Sequence, residues 1–118
     1  MTFILRRAFL KYARLWVTME LKKTRTGDQL VVEFCGRLDT YSTPDAEEEM
    51  RGILGGVKHL ELDFKELTFV SSAGLRLLLI IQQNVTGKGG TMIITHVDQE
   101  VMNILTMSGF DKILTINP

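Results

Sequence analysis

Cys35 is the only cysteine in 118 residues. No disulfide can close within the chain, and no cysteine-based metal site can be assembled. A reduced, cytosolic setting is the default for such a chain. No apolar run comes near the roughly 18 residues that a membrane span requires. Net charge is also missing. The 14 Lys and Arg balance 14 Asp and Glu, which leaves no general electrostatic footprint for nucleic acid. No repeat and no low-complexity tract is visible. What is present is ordinary globular composition, 45% apolar and 24% charged, in a length suited to one domain with a real core.

The charge is unevenly placed. Residues 1–18 carry Arg6, Arg7, Lys11 and Arg14 and no acid. With those four set aside, ten basic groups face 14 acidic ones, so residues 19–118 carry a net charge of −4. At 100° per residue, Leu5, Phe9, Tyr12 and Trp16 share one helical face, with Arg7, Lys11 and Arg14 opposite. Residues 1–18 therefore read as a basic amphipathic extension. Basic residues interrupt the apolar stretch and no small-residue cleavage site follows, so it is not a signal peptide. Such a helix packs on its own domain or a twin subunit, or rests on a membrane surface or a partner. Met19 as the natural start is a further reading.

From residue 19 onward the pattern alternates between strands and helices. Residues 19–25 alternate weakly, Thr26-Gly27-Asp28 turns, and Gln29 to Arg37 is a strand, giving a hairpin. Thr43 is the expected cap of a helix with Pro44 at its first position. Ala46, Met50, Ile53 and Leu54 form its inner face, and Gly55-Gly56 ends it. Leu60, Leu62 and Phe64 alternate in a strand from His59 to Phe64. Leu67 to Val70 leads into a greasy helix from about Ala73 to Val85, expected to be buried on most sides. Met92, Ile93 and Ile94 suggest a central strand over Thr91 to Thr95. Asp98 to Met107 is a third helix with Val101, Met102, Ile104 and Leu105 inward, and Ile113 to Ile116 a last strand. The expected class is α/β: a mixed β-sheet with helices packed against it, in the order β-β-α-β-α-β-α-β.

The residues offer little to an enzyme. His59 and His96 lie in or beside apolar strands without a metal-ligand partner at useful spacing, so both read as structural. Ser71 and Ser72 are flanked by Val70 and Ala73, so the G-x-S-x-G nucleophile turn is absent. Gly87, Gly89 and Gly90 follow a helix instead of opening one, unlike a phosphate loop. Asp63 and Glu66 read as a solvated loop face, and Cys35 as a small core residue.

The stretch from Leu62 to Leu75 is different. A strand ends, a short loop follows, and the pair Ser71-Ser72 opens the greasiest helix of the chain. Serine at a helix start normally caps free amides of the first turn. The same geometry suits an anion, because the first turn is the positive end of the helix dipole. A phosphoryl group there would bring roughly −1.5 to −2 charges. Its own helix would tolerate it, and a partner surface built against a neutral hydroxyl would not.

Residues 19–118 resemble a STAS domain, and specifically the bacterial anti-sigma factor antagonists. Gly36-Arg37-Leu38-Asp39-Thr40 is similar to the family's G-x-L-D segment. The run Leu62-Asp63-Phe64 through Phe69-Val70-Ser71-Ser72-Ala73-Gly74-Leu75 is similar to its strand, loop and Asp/Ser-Ser-x-Gly-Leu helix start. Met107-Ser108-Gly109-Phe110 is similar to its last turn. The resemblance implies a binding switch and not a catalyst, with no cofactor and no metal. The expected partners are a serine-kinase anti-sigma factor and a Ser/Thr phosphatase, in the cytoplasm, with no direct nucleic-acid contact. It implies Ser72 as the phosphoacceptor, two residues before Gly74. It also implies a binding face of Asp39, Thr40, Ser71, Ala73, Gly74 and Leu75. Many members have Asp where this chain has Ser71, which makes Ser71 a neighbouring alternative acceptor. STAS-like domains also serve as sensory or scaffold modules that bind nucleotides or lipids, and residues 1–18 suit a membrane-proximal version of that kind.

Overall fold

The computed structural model describes residues 19–117. The extension expected over residues 1–18 lies outside that range. Within it the chain runs β1 (Met19–Thr26), β2 (Gln29–Leu38), α1 (Thr43–Ile53), β3 (His59–Asp63), β4 (Leu67–Val70), α2 (Ser72–Gly87), β5 (Thr91–Thr95), α3 (Gln99–Met107), a 3-10 turn (Phe110–Lys112) and β6 (Ile116–Asn117). No helix among the described residues is long and apolar enough to cross a membrane.

The sheet order is β1-β2-β3-β5-β6, with β4 paired to β2 beyond the end of β3. β1 and β2 are antiparallel and every other pairing is parallel. The hairpin is closed by Gly27 and Asp28. Gly27 has φ +63, the positive angle that a two-residue hairpin turn requires and glycine supplies without steric cost. Helices connect the parallel strands because a parallel pair needs a crossover.

Register aligns the buried residues in rows across the sheet. Leu30, Leu60 and Met92 form one row; Val32, Leu62 and Ile94 form the next. All six are buried, with Val32, Leu62 and Ile94 at 0% exposure. The helices cover this face with Ala46 and Met50 from α1, Leu77, Leu78, Ile81 and Val85 from α2, and Val101 and Leu105 from α3. Phe34 and Phe64 pack with ring centroids 5.4 Å apart, a tilted arrangement that suits the ring quadrupoles. Val31, Glu33, Cys35, Glu61, Asp63, Ile93 and Thr95 alternate onto the other face and are only half-buried.

Several expectations need correction. The order gains a strand, because Leu67–Val70 is β4 and not merely an approach to a helix. The sequence hid it because pairing with β2 shifts between Gly36 and Arg37. That bulge breaks the two-residue period, so Leu67 and Val70 both point inward. The expected strand Ile113 to Ile116 shrinks to Ile116–Asn117. Gly109 adopts φ +80 and the chain winds through Phe110–Lys112, leaving Ile113 49% exposed. Thr43 is not the cap of α1; Ser42 holds that position and Thr43 is the first helical residue. Cys35 is not in the core, and lies on the open face opposite Glu20 of β1. Desolvation still pushes its thiol pKa up.

Candidate functional site

The two serines sit where β4 hands over to α2, and the fold gives them different tasks. Ser71 is the cap: its backbone is extended and its Oγ accepts from the Gly74 N–H at 3.2 Å. Its own N–H donates to Leu38 O at 2.8 Å, and its carbonyl accepts from Leu75 N at 2.9 Å. Ser71 is thereby half-buried and tied on three sides. Ser72 is the first residue of the helix and is exposed. Its N–H and that of Ala73 precede any intrahelical acceptor, so the positive end of the helix lies at this hydroxyl.

Gly74 brings α2 against the end of β2. A Cβ at Gly74 would stand 2.8 Å from Leu38 O and 2.9 Å from both Leu38 Cγ and Val70 Cγ1. Only glycine lets the helix start this close to the strand. That approach, with the Ser71–Leu38 hydrogen bond, brings Ser72 beside the loop that leaves β2.

The loop is tightly hydrogen-bonded. Asp39 Oδ1 accepts from the N–H of Tyr41 at 3.0 Å and of Ser42 at 2.9 Å. Ser42 Oγ donates to Arg37 O at 2.7 Å and accepts from Asp39 N at 3.0 Å. Thr43 Oγ1 donates to Asp39 O at 2.6 Å. The backbone N–H of Ser42 does most to hold the Asp39 carboxyl below the usual range. Burial opposes this as the next-largest effect, and the Tyr41 N–H and the Arg37 charge assist more weakly. Arg37 itself stacks on Phe69, 4.3 Å from the ring centroid. Tyr41 is 89% exposed.

The sequence-derived residues thus separate by access. Ser72 and Thr40 are exposed; Asp39, Ser71 and Ala73 are half-buried; Gly74 and Leu75 are buried, and their side of the helix packs inward. Tyr41, Ser42 and Arg76 escaped the sequence reading. Tyr41 and Ser42 follow Asp39-Thr40 directly, and an Asp is a turn signal because its side chain can accept from the N–H two residues on, as it does here from Tyr41.

A second polar group lies on the open face. Glu61, Asp63 and His96 bring their ligand-type atoms within 4.8 Å of one another. His96 Nδ1 stands 3.2 Å from Asp63 Oδ1, and Thr95 Oγ1 donates to Glu61 Oε2 at 2.8 Å. Asp63 is therefore not part of a solvated loop face: it ends β3 half-buried and meets His96 and the Lys65 N–H, and only Glu66 is exposed. Both His59 and His96 are exposed.

Among the described residues the chain is an α/β domain whose helices cover one face of the sheet and whose fourth strand leads into a helix capped by Ser71, and residues 20–118 match the STAS domain family. The chain belongs to that family. It is 32% identical over 89 residues to the anti-sigma F factor antagonist of Paenibacillus polymyxa, covering 74% of this chain and 76% of that one. Its fold matches the crystal structure of an anti-sigma factor antagonist from Mycobacterium paratuberculosis, with TM-score 0.75, 18% identity, and 85% and 86% of the two chains covered. It also matches the phosphorylated form of the Bacillus cell fate determinant SpoIIAA, with TM-score 0.63, 19% identity, and 85% and 91% covered.

Proposed function

We propose that this chain is an anti-sigma factor antagonist whose binding is switched off by phosphorylation of Ser72. In the unmodified state it sequesters an anti-sigma factor that is also a serine kinase, and a sigma factor is freed. The kinase moves the γ-phosphoryl group of ATP to Ser72 Oγ; ADP leaves and the hydroxyl proton passes to a base of the kinase. A phosphatase hydrolyses the ester and restores the hydroxyl. The site of action is the cytoplasm.

One observation carries this reading: of two adjacent serines, Ser72 is exposed at the helix start, while the hydroxyl of Ser71 is occupied by Gly74 N–H. Relatives named as anti-sigma factor antagonists supply the partner class. The energetics are adequate. Shifting a complex from almost fully bound to almost fully free takes about 5.5 kcal/mol of differential affinity. A dianion forced into an interface beside the Asp39 carboxylate, with its hydration lost, reaches several kcal/mol.

The test is incubation with serine-kinase anti-sigma factors and ATP, followed by mass spectrometry of the tryptic peptide Glu66 to Arg76. Phosphate is expected on Ser72, absent in Ser72→Ala and retained in Ser71→Ala. Ser72→Asp is expected to bind the kinase at least tenfold more weakly. Binding of Ser72→Asp as tight as that of the wild type to every such kinase would sink the proposal.

A further inference from the structure

We infer that Arg76 holds the phosphate once Ser72 carries it, so that the modified chain supplies its own counter-ion. This rests on the reading of Ser72 as the acceptor.

Four arginines occur among the described residues, and three are committed. Arg25 donates to the carbonyls of Gly27 and Gly55 at 2.9 Å, and to that of Ile53 at 3.4 Å, at the C-terminal end of α1. Arg37 lies over Phe69. Arg51 pairs with Glu47 at 2.6 Å. Arg76 is exposed and, among the described residues, has no hydrogen bond, ion pair or ring contact. It stands four residues after Ser72 on α2. Residues at that spacing share a helix face with Cβ atoms about 5–6 Å apart.

The order of the pair also matters. An anion one turn N-terminal to a cation is the favoured arrangement, because each then complements the helix dipole. Unmodified Ser72 gives Arg76 nothing to neutralise. A phosphate there presents a dianion with acceptor oxygens to a guanidinium whose forked donors match them. Among the described residues, the elements packed most closely on α2, namely β4, β5 and α1, supply no free cation. β4 and β5 carry no charged side chain. From the end of β2 and its loop come Arg37, already stacked, and Asp39, already accepting two N–H groups. α1 contributes Asp45 and the Glu47–Arg51 pair, with Lys23 of β1 held by Glu49.

Pairing with Arg76 favours the dianion over the monoanion, so it lowers the second pKa of the phosphate. The experiment uses the full chain with phosphoserine genetically encoded at position 72, so that no kinase is needed. The phosphorus resonance is titrated in the wild-type background, Arg76→Gln and Arg76→Lys. The second pKa is expected to lie about 0.3 unit or more lower with arginine than with glutamine. Lysine should fall between, and 1 M salt should shrink the difference. Identical titrations in all three chains would overturn the pairing. Because Arg76 is exposed, unmodified Arg76→Gln should melt with the wild type, which separates a charge effect from a folding defect. If kinases never label Ser72 but the titration shift is present, the acceptor assignment fails and the pairing stands. The converse result removes the pairing alone.

Discussion

Ser71 and Ser72 have the same side chain, and what separates them is which hydroxyl the backbone has already claimed. Ser71 Oγ satisfies an amide that would otherwise be buried without a partner, so Ser71→Ala should cost about 1 kcal/mol in denaturant unfolding. Ser72→Ala should change stability by less than about 0.5 kcal/mol, because an exposed first-turn position loses no contact. Gly74 is the harder constraint. Gly74→Ala places a methyl against a carbonyl oxygen that belongs to the strand and cannot swing away. It should destabilise by about 1–3 kcal/mol, read as a lower urea midpoint at unchanged slope, or displace the start of α2. Asp39 gives the pH dependence. Its folded pKa is held down by the N–H groups of Ser42 and Tyr41. The stability it contributes is therefore complete above the unfolded carboxylate value near 4 and is lost as pH falls through the lower folded value. The stability gap between wild type and Asp39→Asn should be constant at neutral pH and close only in acid.

At the scale of elements, the sequence is readable where a period survives. The hairpin, the three helices and the strands at His59 and Thr91 keep their two- or four-residue spacing, and Asp98 announces α3 by accepting from Val101 N–H at 2.8 Å. β4 was hidden because its bulge sets two buried residues three positions apart. The C-terminal strand was overread because apolar spacing from Ile113 to Ile116 looks extended, whereas the Leu114 N–H bonds back to Phe110 O at 2.8 Å. Alternation told that Cys35 and Phe34 face opposite ways, but not which side the helices cover. The junction of β4 and α2 was legible through its serine pair and its glycine, which the structure shows as a cap and a close helix–strand approach. Tyr41 and Arg76 were not, because their interest lies in being exposed or unengaged, and that is a property of what surrounds them. These assignments imply a gradient of local stability. β6 has two residues and pairs only with β5, while β2 pairs with three strands. Amide exchange should be slowest in Leu30 to Phe34 and Leu60 to Leu62, and faster by orders of magnitude from Ile113 to Asn117.

For the whole molecule, the decisive point is where Ser72, the proposed acceptor, sits relative to the core. The buried rows are covered by one layer of helices, and Ser72 stands at the rim of that layer, beside the end of β2 and outside the packed side chains. A charge added there meets helix dipole, water and Arg76, and displaces no core residue. The modified and unmodified chains should therefore share one fold. With phosphoserine encoded at position 72, amide chemical shifts should move near residues 38–42 and 70–76 and stay fixed in Val32, Leu62 and Ile94. The melting temperature should hold or rise. Partner affinity, by contrast, should fall by two orders of magnitude or more, because only the complex must strip water from the dianion. If β2, β3 and β5 shifted together or melting dropped by many degrees, the phosphate would be acting through refolding, and a switch confined to the surface would be excluded.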